Sequence, residues 1–151
     1  MAQQMSFVRR TAVLTLGVAI ATFAGCNTMP QGVASDAEMR GLADSGTLVR
    51  LVPEQELVVK LNANRMSGFD WKIDQSIDRT VLLADGSKLT QTSQQKSRQD
   101  EVSTQYLRFI AQQPGRTTLN LVYTSAREGM MPDTPKYTLE VIVAPKPEPA
   151  Q

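Results

Sequence analysis

Apolar and polar residues alternate with a period of two along much of this chain. Leu57, Val59 and Leu61 alternate with Val58, Lys60 and Asn62. Leu107, Phe109 and Ala111 alternate with Tyr106, Arg108 and Ile110. Leu119, Leu121 and Tyr123 alternate with Thr118, Asn120 and Val122, and Tyr137, Leu139, Val141 and Val143 with Thr138, Glu140 and Ile142. Successive side chains of a strand point to opposite faces, so each set predicts a strand with one face on a core. No helical stripe follows the N-terminal segment.

The turn residues fit this reading. Pro114-Gly115 predicts a tight turn between two strands, with Pro fixing φ and Gly taking positive φ. Asp85-Gly86 predicts a hairpin between Val81-Leu82-Leu83 and Lys88-Leu89-Thr90. Pro53-Glu54 breaks the run from Thr47 to Leu57. About seven short strands at this spacing predict an all-β fold, an antiparallel β-sandwich, with a small barrel as the alternative.

The first residues have another character. Arg9 and Arg10 precede an uncharged apolar stretch from Thr11 to Phe23, a length that suits the h-region of an export signal. Phe23-Ala24-Gly25-Cys26 follows and resembles the lipobox of bacterial lipoproteins. That resemblance implies cleavage before Cys26 and lipid on its sulfur. Cys26 is the only cysteine, so no internal disulfide accounts for it. An ordinary secretory signal is the competing reading. The expected division is a signal peptide at 1–25, a lipidated cysteine and flexible tether at 26–45, a sandwich at 46–144 and a Pro-rich tail at 145–151. A coil of about twenty residues reaches roughly 25 Å. Asn27, rather than Asp, follows the cysteine, which points to the outer membrane of the cell envelope where there is one.

Removal of the signal leaves about 125 residues, enough for one core. Sixteen Lys and Arg against 15 Asp and Glu give a net charge of +1, and no basic patch points to nucleic acid. The chain has no histidine, which removes the commonest general base and metal ligand. Asp70, Asp74, Asp78 and Asp85 follow no calcium-loop spacing. No enzyme activity, cofactor or metal is expected, and the chain is expected to be a monomer.

The segment Asn64-Arg65-Met66-Ser67-Gly68-Phe69-Asp70-Trp71 runs from loop to strand. Phe69 and Trp71 would share one strand face, and Trp71, the only tryptophan, would bury a large area. This segment resembles the Asn-Pro-Thr-Thr-Gly-(Tyr/Phe)-x-Trp motif of the chagasin-type inhibitors of papain-like cysteine proteases. Asn64, Ser67 (for Thr), Gly68, Phe69 and Trp71 match; Arg65 stands for the proline and Met66 for the first threonine. Gln105 to Ala111, Pro114-Gly115, Thr118 to Tyr123 and Tyr137 to Val141 are similar to the family's later strands, so the resemblance spans nearly all of Thr47 to Val143. It implies an immunoglobulin-like antiparallel β-sandwich whose loops gather at one end and fill a protease cleft.

By that resemblance Asn64, Arg65, Met66, Ser67, Gly68 and Phe69 form the inhibitory loop. The flanking positions depart from the family. Gln94 to Ser103 contains no glycine where a Gly-x-Gly-Gly motif is usual. Ser125, Ala126, Arg127 and Glu128 stand where Arg-Pro-Trp is usual, with no tryptophan. Met130-Met131-Pro132 adds an apolar stretch that would either contact a partner or pack on its own strands. Two functions follow as alternatives. One is a membrane-anchored inhibitor with a papain-like cysteine protease as partner. The other is an envelope lipoprotein that uses the same sandwich as a non-inhibitory binding or structural module.

Overall fold

The structure, a computed structural model, describes residues 36–64, 68–74, 77–97, 102–125, 127 and 133–147. Among them are eight strands: β1 Glu38–Gly41, β2 Leu48–Leu51, β3 Glu56–Asn64, β4 Phe69–Ile73, β5 Leu82–Thr90, β6 Val102–Ala111, β7 Gly115–Ser125 and β8 Lys136–Val143. One short helix, α1 Ser93–Ser97, lies between β5 and β6.

The alternating sets form β3, β6, β7 and β8 as expected. Their apolar faces meet in one core. Leu57, Val59 and Leu61 of β3 and Leu107 and Phe109 of β6 pack in the same cluster as Leu119 and Leu121 of β7 and Tyr137, Leu139 and Val141 of β8. β3 pairs with β6, and β7 with β8, but neither pair bonds to the other, so the two pairs stack as layers. One layer is β1-β3-β6-β5 and the other β2-β8-β7-β4, joined where Asn64 pairs with Phe69. The result is an immunoglobulin-like β-sandwich. The cluster of buried apolar residues lies between Val49 and Val143, so residues 49–143 carry the core.

β1 and β2 form the only parallel pairings among the described strands, with β3 and β8 respectively. β1 runs up the free edge of β3, the chain reverses through a 3-10 turn at Leu42–Asp44, and β2 runs down the edge of β8. The tether expected to continue to Ser45 therefore gives way to ordered structure by Glu38. Its polar residues show no apolar alternation because an open strand edge, not a hydrophobic face, holds them. Arg40 pairs with Glu38 at 2.6 Å and Asp44 at 3.6 Å, and the Gly41 N–H donates to the Asp44 carboxylate at 2.7 Å.

The hairpin expected at Asp85-Gly86 is absent. β5 continues through it as one strand. Ala84 stands opposite Phe109 and Gly86 opposite Arg108, so Asp85 is the extra residue of a β-bulge. Gly86 has φ +116°, a backbone state that serves a bulge as well as a turn. The ten-residue β6 is long enough to keep pairing past the bulge, which decides between them. Asp85, left outside the ladder, reaches Arg108 at 3.3 Å, and Arg108 also pairs with the buried Glu56 at 2.5 Å. A bulge and a charge on an edge strand also discourage pairing with another chain.

The turn at Pro114-Gly115 is where expected, joining β6 to β7, but Gly115 does not take positive φ. Its need is steric: a Cβ there would lie 2.6 Å from Val81 Cγ2.

Candidate functional site

Three connections meet at one end of the sandwich: β3–β4, β5–β6 and β7–β8. The strand register requires this. Asn64 at the top of β3 stands opposite both Phe69, where β4 begins, and Val102, where β6 begins. Phe69 in turn stands opposite Ser125, the last residue of β7. The opposite end holds the start of β1, beside Leu57, and the end of β8, beside Gly115.

Tyr123 of β7 sits beneath this end. Its ring lies 5.5 Å from Phe69, tilted by 31°, and 5.3 Å from Trp71, tilted by 42°. Tilted pairs at such separations add to the burial of the rings. The Tyr123 hydroxyl accepts the Asn64 N–H at 2.7 Å. Burial raises the Tyr123 pKa and the nearby Asp70 charge adds to the rise, while the Asn64 bond works against it. Trp71 is buried, and its indole N–H donates to the Asn62 carbonyl at 2.8 Å. The Trp71 backbone is bridged on its free edge by the Gln105 amide, at 2.7 and 3.0 Å.

Gly68 carries φ +76°, so the chain turns into β4 through a conformation that suits glycine. A Cβ there would lie 3.9 Å from Ser125 Oγ. Ser125 is buried, and its hydroxyl accepts the Arg127 N–H at 3.2 Å. Ser125 therefore closes the end of β7 and presents no surface to a partner. Arg127 is exposed. Asn64 and Phe69 are half-buried at the two feet of the β3–β4 loop. Arg65, Met66, Ser67, Ala126, Glu128 and Met130 to Pro132 lie outside the described residues, as does Cys26.

In the β5–β6 connection α1 replaces the expected loop start. The Gln95 N–H donates to Thr92 Oγ1 at 3.2 Å and the Thr92 N–H to Gln95 Oε1 at 2.8 Å. This is a reciprocal capping box, legible in the sequence as Thr92-x-x-Gln95. Tyr123 and Gln105 were equally readable as strand residues, but their roles depend on contacts far apart in sequence.

Of Asp70, Asp74, Asp78 and Asp85, three have side-chain partners among the described residues. Asp70 pairs with Lys72 at 3.5 Å and Asp85 with Arg108. Asp78 accepts from the Thr80 N–H at 2.9 Å and hydroxyl at 2.6 Å, bonds that hold its carboxyl below its ordinary pKa. Among the described residues no three potential ligands cluster for a metal.

The fold is shared with solved structures. The cysteine protease inhibitor EhICP2 from Entamoeba histolytica aligns with a TM-score of 0.62 at 14% identity, over 72% of this chain and 96% of that one. Amebosin aligns with a TM-score of 0.59 at 16% identity, over 72% of this chain and 98% of its own. No curated protein is similar enough to the chain to count as a match. The family model described as chagasin family peptidase inhibitor I42 matches residues 50–141. With most of its sandwich inside that match, the chain belongs to the chagasin family of peptidase inhibitors.

Proposed function

We propose that this chain is a membrane-anchored inhibitor of papain-like cysteine proteases, which blocks the active-site cleft with the loops at one end of the sandwich. The observation that carries the reading is the braced base of the β3–β4 loop, with Asn64 and Phe69 fixed on β7 beside the other two connections. A loop held by a rigid scaffold loses little entropy on entering a cleft. EhICP2, which shares the fold, is itself described as a cysteine protease inhibitor.

Anchoring through lipid on Cys26 fits the lipobox-like Phe23-Ala24-Gly25-Cys26. A tether that joins β1 at Glu38 enters at the end opposite the three connections. The loops would then face away from the membrane, toward a protease arriving from the aqueous side.

The second reading, a non-inhibitory binding module, draws on the β5–β6 connection and on Ser125. The connection holds a polar helical turn without glycine, and Ser125 is buried with no aromatic anchor in the described flank. Interface energy concentrates in such anchors.

Titration of papain with residues 27–151, free of lipid, separates the two. Inhibition with the chain left uncleaved is expected, and Gly68→Trp is expected to abolish it while far-ultraviolet circular dichroism stays native. Absence of inhibition across several papain-like proteases would overturn the first reading in favour of the second.

A further inference from the structure

We propose that Tyr123 is the positioning residue of the β3–β4 loop: its hydroxyl fixes the foot that enters the loop, at Asn64, and its ring packs on the foot that leaves it, at Phe69. This rests on the inhibitory reading above.

The argument begins with Asn64. Its N–H ends β3 and goes to a phenol oxygen on β7, 59 positions away in sequence. The same phenol ring packs on Phe69, the first residue of β4. One side chain thus holds the residue that enters the loop and the residue that leaves it. Trp71 backs the ring from the core side. Trp71 is itself fixed twice, by its indole bond to Asn62 and by the Gln105 amide on its backbone. The support under Tyr123 therefore comes from β3, β4 and β6 together.

The next inward residue of β7 continues the brace. Ser125 stands opposite Phe69, approaches Gly68 and accepts the Arg127 N–H. Tyr123 and Ser125 together join the base of the β3–β4 loop to the start of the β7–β8 connection. A hydrogen bond to a phenol oxygen is directional where ring packing is not, so the hydroxyl sets the position of the Asn64 backbone and the rings set the spacing. Without it, the loop must be ordered on binding, and affinity falls by that cost.

The test compares Tyr123→Phe and Tyr123→Leu with the parent in residues 27–151, which contain the whole core. Three quantities are measured: amide hydrogen exchange at Asn64, the thermal midpoint and the inhibition constant for papain. The Phe variant keeps the rings and loses the bond. It is expected to exchange at Asn64 at least about ten-fold faster and to inhibit about three- to ten-fold more weakly, with a midpoint within a few degrees of the parent. The Leu variant is expected to lose further inhibition as the Phe69 contact goes. Unchanged Asn64 exchange in the Phe variant would overturn the proposal. So would faster exchange with an unchanged inhibition constant. If the parent does not inhibit papain, the functional reading fails by itself, and the exchange comparison still decides whether the hydroxyl holds the loop.

Discussion

The side-chain amide of Gln105 replaces a neighbouring strand for Trp71: Oε1 accepts the Trp71 N–H at 2.7 Å and Nε2 donates to the Trp71 carbonyl at 3.0 Å. β7 occupies one edge of β4, and the amide serves the other edge at this point. Nε2 also donates to Ser87 Oγ at 2.8 Å, so one buried residue links β6, β4 and β5. A buried backbone group left unpaired is costly, which explains a glutamine on an inward face that otherwise reads as apolar.

Gln105→Leu keeps the volume and removes both bonds to Trp71 together with the one to Ser87. Orphaning a buried N–H and a buried carbonyl is expected to lower stability by roughly 2–4 kcal/mol in total. Urea denaturation of the variant and parent measures it. Equal stabilities would mean that water or a shifted side chain satisfies Trp71 as well as the amide does.

Gly115→Ala is expected to cost about 1–3 kcal/mol through crowding. The added methyl would sit 2.6 Å from Val81 Cγ2, and no positive φ contributes. Val81→Ala opens the space, so the double variant should lose less than the sum of the single losses. Strictly additive losses would place the cause elsewhere.

Tyr137 makes stability sensitive to alkali. Burial, with the Asp44 charge adding to it and Arg40 opposing, pushes its pKa up to about 12 from an ordinary 10. The folded state therefore favours the neutral phenol. Stability is therefore insensitive to this group below pH 10 and falls as pH rises from there through about 12, because ionising the phenol costs the folded state more than the unfolded one. The hydroxyl makes no hydrogen bond among the described residues, so Tyr137→Phe should be neutral or stabilising at pH 7. The variant should also resist alkaline unfolding beyond the parent. Parallel loss of stability in both proteins between pH 10 and 12 would exclude Tyr137 as the group responsible.

The proposed lipidation of Cys26 predicts incorporation of labelled palmitate into the full chain in a bacterial host, abolished by Cys26→Ala. Label is the readout, because an uncleaved signal would itself hold the variant at the membrane. Persistent labelling of the variant would place the lipid on another residue.

The sequence alone determined the principal strands of this protein and the face that each turns to the core. Period-two alternation is a local property of the chain, and it identified β3, β6, β7 and β8 and their inward faces without reference to any partner. It also marked Asn64, Gly68 and Phe69 as one segment passing from loop to strand. Tertiary structure decided what depended on a neighbour. Asp85-Gly86 was compatible with a turn or a bulge until β6 ran past it. Glu38–Gly41 is too polar to read as a strand, and becomes one because the edge of β3 is open to it. Gly115 is required by Val81, and not by its own backbone angle. Ser125 looked like part of a flanking loop, and is buried as the end of a strand. Tyr123 fixes Asn64, and Gln105 bridges Trp71, only because residues 59 and 34 positions apart are folded together. Such pairings leave no periodic trace in the chain, since each is set by the register of strands distant in sequence.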